Sequence, residues 1–219
     1  MIKYIFFDFN GTIIDDVDLC LELLNKLLAG QNKPLVTKKR YKEIFTFPII
    51  KYYEAAGVDF NIESFESLAV KFIDEYQPRS LECGLFPNIK DTIKYFKDNG
   101  IKTYILSASE RNNLLEQCTH YGIVDIFDDI LGIDNIHASS KVDIAIDFVK
   151  KNNINCDEAI FIGDTLHDFE VSKCLGMKCY LVSCGHQSVD VLKKANVTIL
   201  DTINDLRGII DNENNKRGF

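Results

Sequence analysis

Short apolar runs alternate with helical repeats along most of this chain. The run from Tyr4 to Phe7 ends at Asp8, and later runs end at Ser107 and just before Asp164. Short runs rich in aromatic and β-branched residues are typical of buried strands in a parallel sheet. Between them, apolar residues recur at spacings of three and four, which predicts amphipathic helices. The pattern therefore predicts an α/β fold, a doubly wound parallel sheet with a Rossmann-like core of about five main strands.

The pattern also places the individual elements. It predicts five main strands and a short last one, at residues 4–7, 102–106, 127–131, 159–162, 179–182 and 197–200. In the second half of the chain it predicts helices that begin near Pro87, Ser109, Lys141, His167, Val189 and Thr202. Glycine stops and capping residues mark most of these boundaries. The polar end of the chain, residues 211–219, is expected to fray.

Residues 15–80 differ from the rest because their pattern is wholly helical. Leucines share one face after Asp18, and two further helical stretches follow, the first of them broken at Pro48. We expect an insert of helices at 15–80 after the first strand, with the α/β core formed by 1–14 and 81–219. The alternative is that these helices simply cover one face of the sheet.

Composition and charge exclude several classes of protein. The chain has 219 residues, of which 46% are hydrophobic and 26% charged, as in an ordinary soluble globular protein. A net charge of −8 argues against a nucleic-acid binder, which needs a basic face. No apolar run approaches the ~20 residues of a membrane span. We therefore expect no nucleic-acid partner and no membrane.

Cysteine use and the start of the chain indicate the compartment. The seven cysteines include no Cys-x-x-Cys pair, and the histidines have no metal-ligand spacing relative to them, so a zinc site is not expected. An odd number of unpaired thiols fits a reducing cytoplasm. Met1 to Lys3 lead directly into the first strand, so we expect no signal peptide.

Polar residues stand where the predicted strands end. Asp8 follows the first strand, and a buried carboxylate there acts as a nucleophile or a metal ligand, because an unpaired buried charge costs several kcal/mol. Gly11 lets the backbone turn and present N–H groups to an anion. Ser107 follows the second strand, and Lys141 opens a helix after Ala138-Ser139-Ser140. The fourth main strand leads into Gly163-Asp164, with Asp168 four residues later.

These four motifs resemble those of the haloacid dehalogenase-like hydrolases. The first reads Asp8-x-Asn10-Gly11-Thr12, and the last reads Gly-Asp-x-x-x-Asp. Their order and strand-end positions agree with the family over essentially the whole chain. The stretches around the first and last motifs look similar to phosphoglycolate phosphatases. The resemblance implies a Mg²⁺-dependent phosphatase of a small phosphorylated metabolite, with residues 15–80 as a helical cap over the active site.

The resemblance also implies roles for the motif residues. Asp8 would be the nucleophile that forms an aspartyl-phosphate. Asp8, the backbone carbonyl of Asn10 and Asp164 would hold the Mg²⁺. Lys141 would place a positive charge between nucleophile and phosphate, and Asp168 would orient metal-bound waters or Lys141.

Other motif residues would hold the phosphate. The Ser107 hydroxyl and nearby backbone N–H groups, including that of Ala108, would bind its oxygens. Gly11 contributes backbone N–H groups to an anion, and Thr12 would tighten the loop after the first strand.

Asn10 departs from the family motif, where an Asp is the general acid and then the base. An amide has no proton that titrates near neutral pH. Three explanations remain open. In natural variation, which we favour, Asp15, Asp16 or His167 supplies the proton, or the leaving group needs none. In the second explanation, the chain is an engineered variant that traps its substrate or phosphoenzyme. In the third, the protein binds phosphorylated ligands and turns them over poorly. If no other group acts, we predict that Asn10→Asp speeds alkyl phosphate turnover by roughly one to three orders of magnitude.

Specificity residues are expected around the Pro48 break. The candidates are Glu43, Thr46, Phe47, Lys51 and Tyr52, together with Arg111 after the second strand. Lys51 or Arg111 would meet an anionic group of the substrate. Rival activities are a phosphomutase, which would be expected to keep the second Asp, and a phosphonatase. The latter would form an imine with one of Lys33, Lys38, Lys39, Lys42 and Lys51. A monomer and a homodimer are both compatible with the sequence.

Overall fold

The protein is built on one six-stranded parallel sheet. The computed structural model describes residues 1–133 and 140–216. The strands are β1 (Tyr4–Phe7), β2 (Lys102–Glu110), β3 (Asp129–Ile133), β4 (Ala159–Gly163), β5 (Lys178–Val182) and β6 (Ile199–Leu200). Their spatial order is β3-β2-β1-β4-β5-β6, so β1 and β4 are central neighbours. The order reverses between these two strands, which is where a doubly wound sheet opens a ligand crevice. The predicted α/β class is confirmed.

Ten α-helices occur in the described part of the chain. They are α1 (Val17–Gly30), α2 (Lys38–Ile44), α3 (Ile49–Ala56), α4 (Phe65–Ser80), α5 (Ile89–Asp98), α6 (Arg111–His120), α7 (Lys141–Lys151), α8 (Leu166–Leu175), α9 (Val189–Leu192) and α10 (Leu206–Lys216). Thr37, Ser64, Ser140 and Thr165 cap α2, α4, α7 and α8 with their side-chain oxygens. Such oxygens pair N–H groups that a helix start leaves without partners. None of the described helices is long and apolar enough to cross a bilayer.

Alternate residues of the strands pack into two hydrophobic layers, one on each face of the sheet. Phe7 and Ile105 belong to the layer packed against α5, α6 and α10. Phe6 and Tyr104, one position earlier on each strand, belong to the layer against α7 and α8. This alternation follows from the twofold period of a strand. Both faces of the sheet are therefore buried, which explains why the strands read as continuous apolar runs.

Helices α1 to α4 have an apolar cluster of their own. Its members include Leu24, Tyr41, Tyr52 and Tyr53, all buried. The chain enters and leaves this group through two adjacent segments. Backbone hydrogen bonds join Asp15 to Gly84 at 3.1 Å and Phe86 to Ile13 at 3.0 Å.

Several predicted boundaries were wrong. Strand β2 continues beyond Ser107, so Ser109 does not cap the next helix. Glu110 does, and its carboxylate accepts the Asn113 N–H at 2.9 Å. Strand β3 lies two residues later than predicted, and α9 has four residues followed by a 3₁₀ turn at Lys193–Ala195. Ala138 and Ser139, and the last residues 217–219, lie outside the described residues.

Candidate active site

The polar residues that follow the strands meet at one edge of the sheet. Asp8 follows β1, Ser107 lies on β2, and Asp164 follows β4 beside it. Lys141 and Asp168 come from the first turns of α7 and α8. All five border one cavity of about 380 Å³. We call these five residues the strand-end floor.

Lys141 is the electrostatic centre of the strand-end floor. Its buried ammonium group donates to the Asp8 carboxylate, and to Asp168 at 2.6 Å. It also lies 5.1 Å from the centre of the Phe161 ring. Burial alone would lower the pKa of Lys141, but the charges of Asp168 and Asp8 outweigh it and raise that pKa. Lys141 therefore remains a cation in a site closed to water.

Asp168 holds Lys141 in place. One carboxylate oxygen accepts from Lys141, and the other accepts from the backbone N–H groups of Asp164 and Thr165 at 3.1 and 3.0 Å. The Thr165 hydroxyl donates a third bond to that oxygen at 2.7 Å. It also accepts from the Asp168 N–H at 3.3 Å, which together with the Thr165 N–H bond forms a capping box at the start of α8. Burial would raise the pKa of Asp168, but Lys141 outweighs it and lowers that pKa. Both oxygens of Asp168 are thus engaged by the protein itself.

Three carboxylates crowd this end of the sheet. Oxygens of Asp8, Asp164 and Asp168 lie within 4.8 Å of one another, and all three residues are buried. Burial raises the pKa values of Asp8 and Asp164, the latter to about 6, and the neighbouring carboxylates add to the rise. An all-oxygen cluster with this much negative charge suits a hard divalent cation. The cluster can therefore hold a metal ion.

Two glycines let the backbone approach Asp164. A Cβ at Gly11, where φ is +70°, or at Gly185 would overlap the carboxylate. Asp164 also accepts from the His186 backbone N–H at 2.5 Å and from the Thr12 hydroxyl at 3.3 Å. Asp164 is thus held from two loops.

Asn10 is held by a network rather than directed freely into the cavity. Its amide nitrogen donates to Asp16 at 2.9 Å and to the Tyr76 hydroxyl at 2.6 Å, and its oxygen accepts from Ser109 at 3.1 Å. Asp16 accepts further bonds from the Tyr76 hydroxyl at 2.6 Å and the Gly11 N–H at 2.9 Å. The side chain at position 10 thereby links β2, α4 and the loop after β1.

His186 is a site residue that sequence reasoning missed. Its Nε2 lies 3.2 Å from Asp16, and its Nδ1 lies 2.7 Å from the Tyr41 hydroxyl. Burial would lower the pKa of His186, but Asp16, Asp164 and Asp8 outweigh it and raise that pKa to about 9. Asp16 is correspondingly held as a carboxylate, since His186 and its other hydrogen bonds outweigh burial and lower its pKa. The sequence did carry a signal for His186. It lies in the polar segment just after the fifth strand, and Asp8 was identified because it follows the first strand in the same way.

The three candidates for the missing proton donor lie in different environments. Asp16 contacts the Asn10 amide, whereas the side chain of Asp15 is exposed and does not border the cavity. His167 borders the cavity and stacks on Phe47, with ring centres 4.6 Å apart. Burial lowers the pKa of His167, so its ring is neutral at pH 7.

Ser107 and Ala108 both border the cavity near the end of β2. Ser107 is buried, donates to the Ser109 hydroxyl at 3.1 Å and accepts from the Ser109 N–H at 3.1 Å. Ala108 is exposed and also borders the cavity. The end of β2 therefore presents both residues at the strand-end floor.

The opposite wall of the cavity is apolar. Helices α2 to α4 and their connections contribute a set of aromatic rings, which we call the aromatic roof: Phe45, Phe47, Tyr52, Tyr53, Phe65 and Phe72. Two of the predicted specificity residues, Phe47 and Tyr52, are thus at the cavity. The others do not border it: Glu43, Thr46, Lys51 and Arg111. Lys51 instead pairs with Glu54 at 3.0 Å on the surface.

The parallel sheet, the crevice between β1 and β4 and the buried Asp–Lys–Asp cluster together define an α/β protein with a candidate active site at the carboxyl ends of its strands. The sequence model for haloacid dehalogenase-like hydrolases matches residues 5–182. The chain belongs to this family of enzymes, and the resemblance in its motifs is confirmed.

Individual relatives agree with this assignment. The chain is similar to a phosphoglycolate phosphatase of Pseudomonas fluorescens, with 24% identity over 216 residues, 95% of this chain and 78% of that protein. It also resembles the solved structure of a putative haloacid dehalogenase-like hydrolase from Bacteroides fragilis, with a TM-score of 0.81, 18% identity and coverage of 94% and 100% of the two chains. The solved structure of a haloacid dehalogenase-like hydrolase from Streptococcus pneumoniae is also similar, with a TM-score of 0.80 and 19% identity. The match covers 95% of this chain and 98% of that chain. These relatives support a phosphoric monoester hydrolase.

Proposed function

We propose that the protein is a Mg²⁺-dependent phosphatase that hydrolyses a small phosphorylated metabolite through an aspartyl-phosphate on Asp8. The observation that carries this proposal is the contact between the Asp8 carboxylate and the buried Lys141 ammonium at the end of β1. A carboxylate next to a fixed cation is a suitable nucleophile for an anionic phosphate, because the cation offsets the repulsion between the two.

The proposed reaction has two displacements. An Asp8 oxygen attacks phosphorus, the bond from phosphorus to the ester oxygen breaks, and that oxygen leaves with the electron pair as an alkoxide or phenolate, which takes up a proton from solvent. A water molecule then attacks the same phosphorus and gives up a proton to solvent. The bond to Asp8 breaks with its electron pair on the Asp8 oxygen, which regenerates the carboxylate and releases phosphate. Lys141 stabilises the negative charge of the transferring group throughout, with Asp168 fixing the position of the ammonium.

Backbone and hydroxyl donors complete the phosphate site. Ser107 and the backbone N–H of Ala108 bind phosphate oxygens from β2. Gly11 presents the loop after β1, and Thr12 ties that loop to Asp164 through its hydroxyl at 3.3 Å. These donors come from the ends of the neighbouring strands β1 and β2, where a doubly wound sheet binds its ligands.

Asp8, the backbone carbonyl of Asn10 and Asp164 would hold the Mg²⁺. The ion would supply positive charge for the phosphate oxygens when bound. The fit rests on the all-oxygen cluster and its excess of negative charge. Asp168 stays with Lys141 and the start of α8, because both of its oxygens are already occupied.

The protein has no titrating acid at position 10, and we infer natural variation. A second candidate function follows from the same observation: a protein that binds phosphorylated ligands and turns them over slowly. The phosphonatase alternative receives no support. None of the cap lysines that it requires borders the cavity.

The helices of residues 15–80 would act as a cap on the core of 1–14 and 81–219. Their separate apolar cluster and the paired crossings near Asp15 and Gly84 support this division over a layer that only covers the sheet. The protein would act in the cytoplasm as a monomer or homodimer.

Trapping the intermediate tests the proposal. The enzyme is incubated with p-nitrophenyl phosphate and Mg²⁺, quenched, and treated with hydroxylamine, which converts an acyl phosphate into a hydroxamate. We expect release of phosphate and modification at Asp8, both absent in Asp8→Asn. Turnover without modification at Asp8 would contradict the covalent mechanism, and no turnover of any phosphomonoester would favour the binding protein.

A further inference from the structure

The aromatic roof lacks the charges that a carboxylated substrate requires. Apart from the amide of Gln77, the cavity lining from residues 41–77 is aromatic or aliphatic. Two of its hydroxyls are already engaged, that of Tyr41 with His186 and that of Tyr76 with Asp16. The roof thus offers rings and the neutral hydroxyls of Tyr52 and Tyr53, and no positive charge for an anion.

Lys141 is the only lysine or arginine among the described residues that line the cavity, and it is held by two carboxylates. Lys42 donates to the backbone carbonyls of Ser183 and Cys184 at 3.3 Å, outside this cavity. Glu110 borders the cavity and adds negative charge.

His186 also borders the cavity, but both of its ring nitrogens have partners within the protein. Its Nε2 lies 3.2 Å from Asp16, and its Nδ1 lies 2.7 Å from the Tyr41 hydroxyl. A carboxylate under the roof would therefore lose its hydration without gaining an unpaired cation among the described lining residues.

The volume of the cavity suits a phosphate with one ring. Its 380 Å³ is at the lower end of the ~300–1,000 Å³ range of small-molecule sites. The strand-end floor and the aromatic roof line the same cavity, so a phosphomonoester bound at Asp8 shares that cavity with the roof, which its alcohol portion can contact. An aromatic ring there stacks on other rings in offset or edge-to-face geometry.

We propose that the aromatic roof selects an uncharged aromatic leaving group, so that the substrates are phosphomonoesters of phenols rather than carboxylated alkyl phosphates. The proposal rests on the proposed phosphatase function. Asn10 supports it independently, because a phenolate leaves with the ester bond's electron pair and needs no proton from position 10. The proposed substrates differ from the one named for the phosphoglycolate phosphatases, since phosphoglycolate carries a carboxylate.

The first experiment compares phenyl phosphate with 4-carboxyphenyl phosphate. The para-carboxylate makes the phenolate a slightly better leaving group, so slower turnover reports the cavity and not the chemistry. We expect kcat/KM to be at least roughly tenfold higher for phenyl phosphate, the size of effect that one unpaired polar group produces. Equal or faster hydrolysis of the carboxylated ester would overturn the proposal.

A charge variant localises the effect. Ile73 borders the cavity from α4 and is 46% exposed, so Ile73→Lys adds a cation at the mouth without disturbing the core. We expect the preference for phenyl phosphate to fall about fivefold, as one charge pair at moderate screening allows. The matched control is Val70→Lys, on the same helix, 60% exposed and not in the lining. An equal fall in both variants would contradict selection by the roof.

Binding separates this proposal from the proposed function. Calorimetry with Mg²⁺ compares benzylphosphonate and 4-carboxybenzylphosphonate, which cannot be hydrolysed. Tighter binding of benzylphosphonate together with no turnover of any ester would support the aromatic roof and refute the phosphatase. Equal binding of the two together with turnover of p-nitrophenyl phosphate would refute the roof's selectivity and leave the phosphatase intact.

Discussion

The strand-end floor and the aromatic roof enclose one cavity but are built on different principles. In the floor, each charge has assigned partners, as when Asp168 and Asp8 flank Lys141. In the roof, rings pack without directional bonds, for example Phe45 against Tyr52 with centres 5.1 Å apart. Removing one partner from a buried charged cluster is costly, whereas apolar contacts contribute in small increments. The comparison predicts that single substitutions in the floor abolish turnover, whereas single substitutions in the roof change substrate preference by small steps.

The largest effect is expected at Asp8. Asp8→Asn should lower kcat by at least about 10⁴-fold, because an amide does not attack phosphorus at a useful rate. Asp168 still pairs with Lys141 in this variant, and relief of the repulsion among three crowded carboxylates offsets the lost Asp8–Lys141 contact, so the thermal midpoint should change little. The measurement is phosphate release together with a melting curve. The control is Asp15→Asn, an exposed neighbour expected to retain activity. Wild-type turnover by Asp8→Asn would mean that the floor does not supply the nucleophile.

Metal removal comes next. EDTA should abolish turnover and Mg²⁺ should restore it, since the three carboxylates need a cation to accept a phosphate. Asp164→Asn should raise the Mg²⁺ concentration for half-maximal activity by about 10- to 100-fold, as loss of an oxygen ligand predicts. Asp190→Asn, with a side chain 92% exposed, is the control. Full activity in a metal-free, EDTA-treated enzyme would contradict the Mg²⁺ role of the floor.

A smaller and opposite effect is expected for Asn10→Asp. The structure reduces the gain anticipated from the sequence, because the Asn10 amide nitrogen is 2.9 Å from Asp16 and two carboxylates there would share one proton. We expect kcat on ethyl phosphate to rise about tenfold, below the ~10²–10⁴ range of full general acid catalysis, with less change on phenyl phosphate.

Its control is Asn113→Asp, which adds the same charge to the cavity from α6. That variant should leave the ratio of the two substrates unchanged. If Asn10→Asp does not speed ethyl phosphate hydrolysis, another group already supplies the proton, and Asp16 and His167, which border the cavity, are the next positions to change.

The smallest effect is expected in the roof. Phe72→Ala removes one ring stacked on Tyr76 at 5.6 Å and should raise the KM for phenyl phosphate about fivefold, within the ~0.5–1.5 kcal/mol of an aromatic pair. The KM for ethyl phosphate should stay the same, as should kcat for both. Val70→Ala, exposed on the same helix, serves as the comparison. A large fall in kcat would show that the roof also positions the reacting groups of the floor.

The sequence by itself determined the α/β class, the family and most of the strand-end floor. Asp8 and Asp164 could be found because parallel strands end at a common edge, so a polar residue after an apolar run reports its own location. Most helix stops and caps could be found for a different reason, because they depend on neighbours within a few residues along the chain. The end of β2 was missed because Ser107 to Glu110 continue as a strand only by pairing with β3.

Only the tertiary structure decided which residues surround Asn10 and which side chains form the roof. His186 reaches Asp16 across 170 positions of sequence, and Tyr76 reaches it across 60. No local periodicity encodes such contacts, because they arise when α4 and the loop after β5 are brought against the same edge of the sheet. The sequence also suggested that Lys51 binds an anionic group of the substrate. In the folded chain, Lys51 lies outside the cavity and pairs with Glu54 on the same helix.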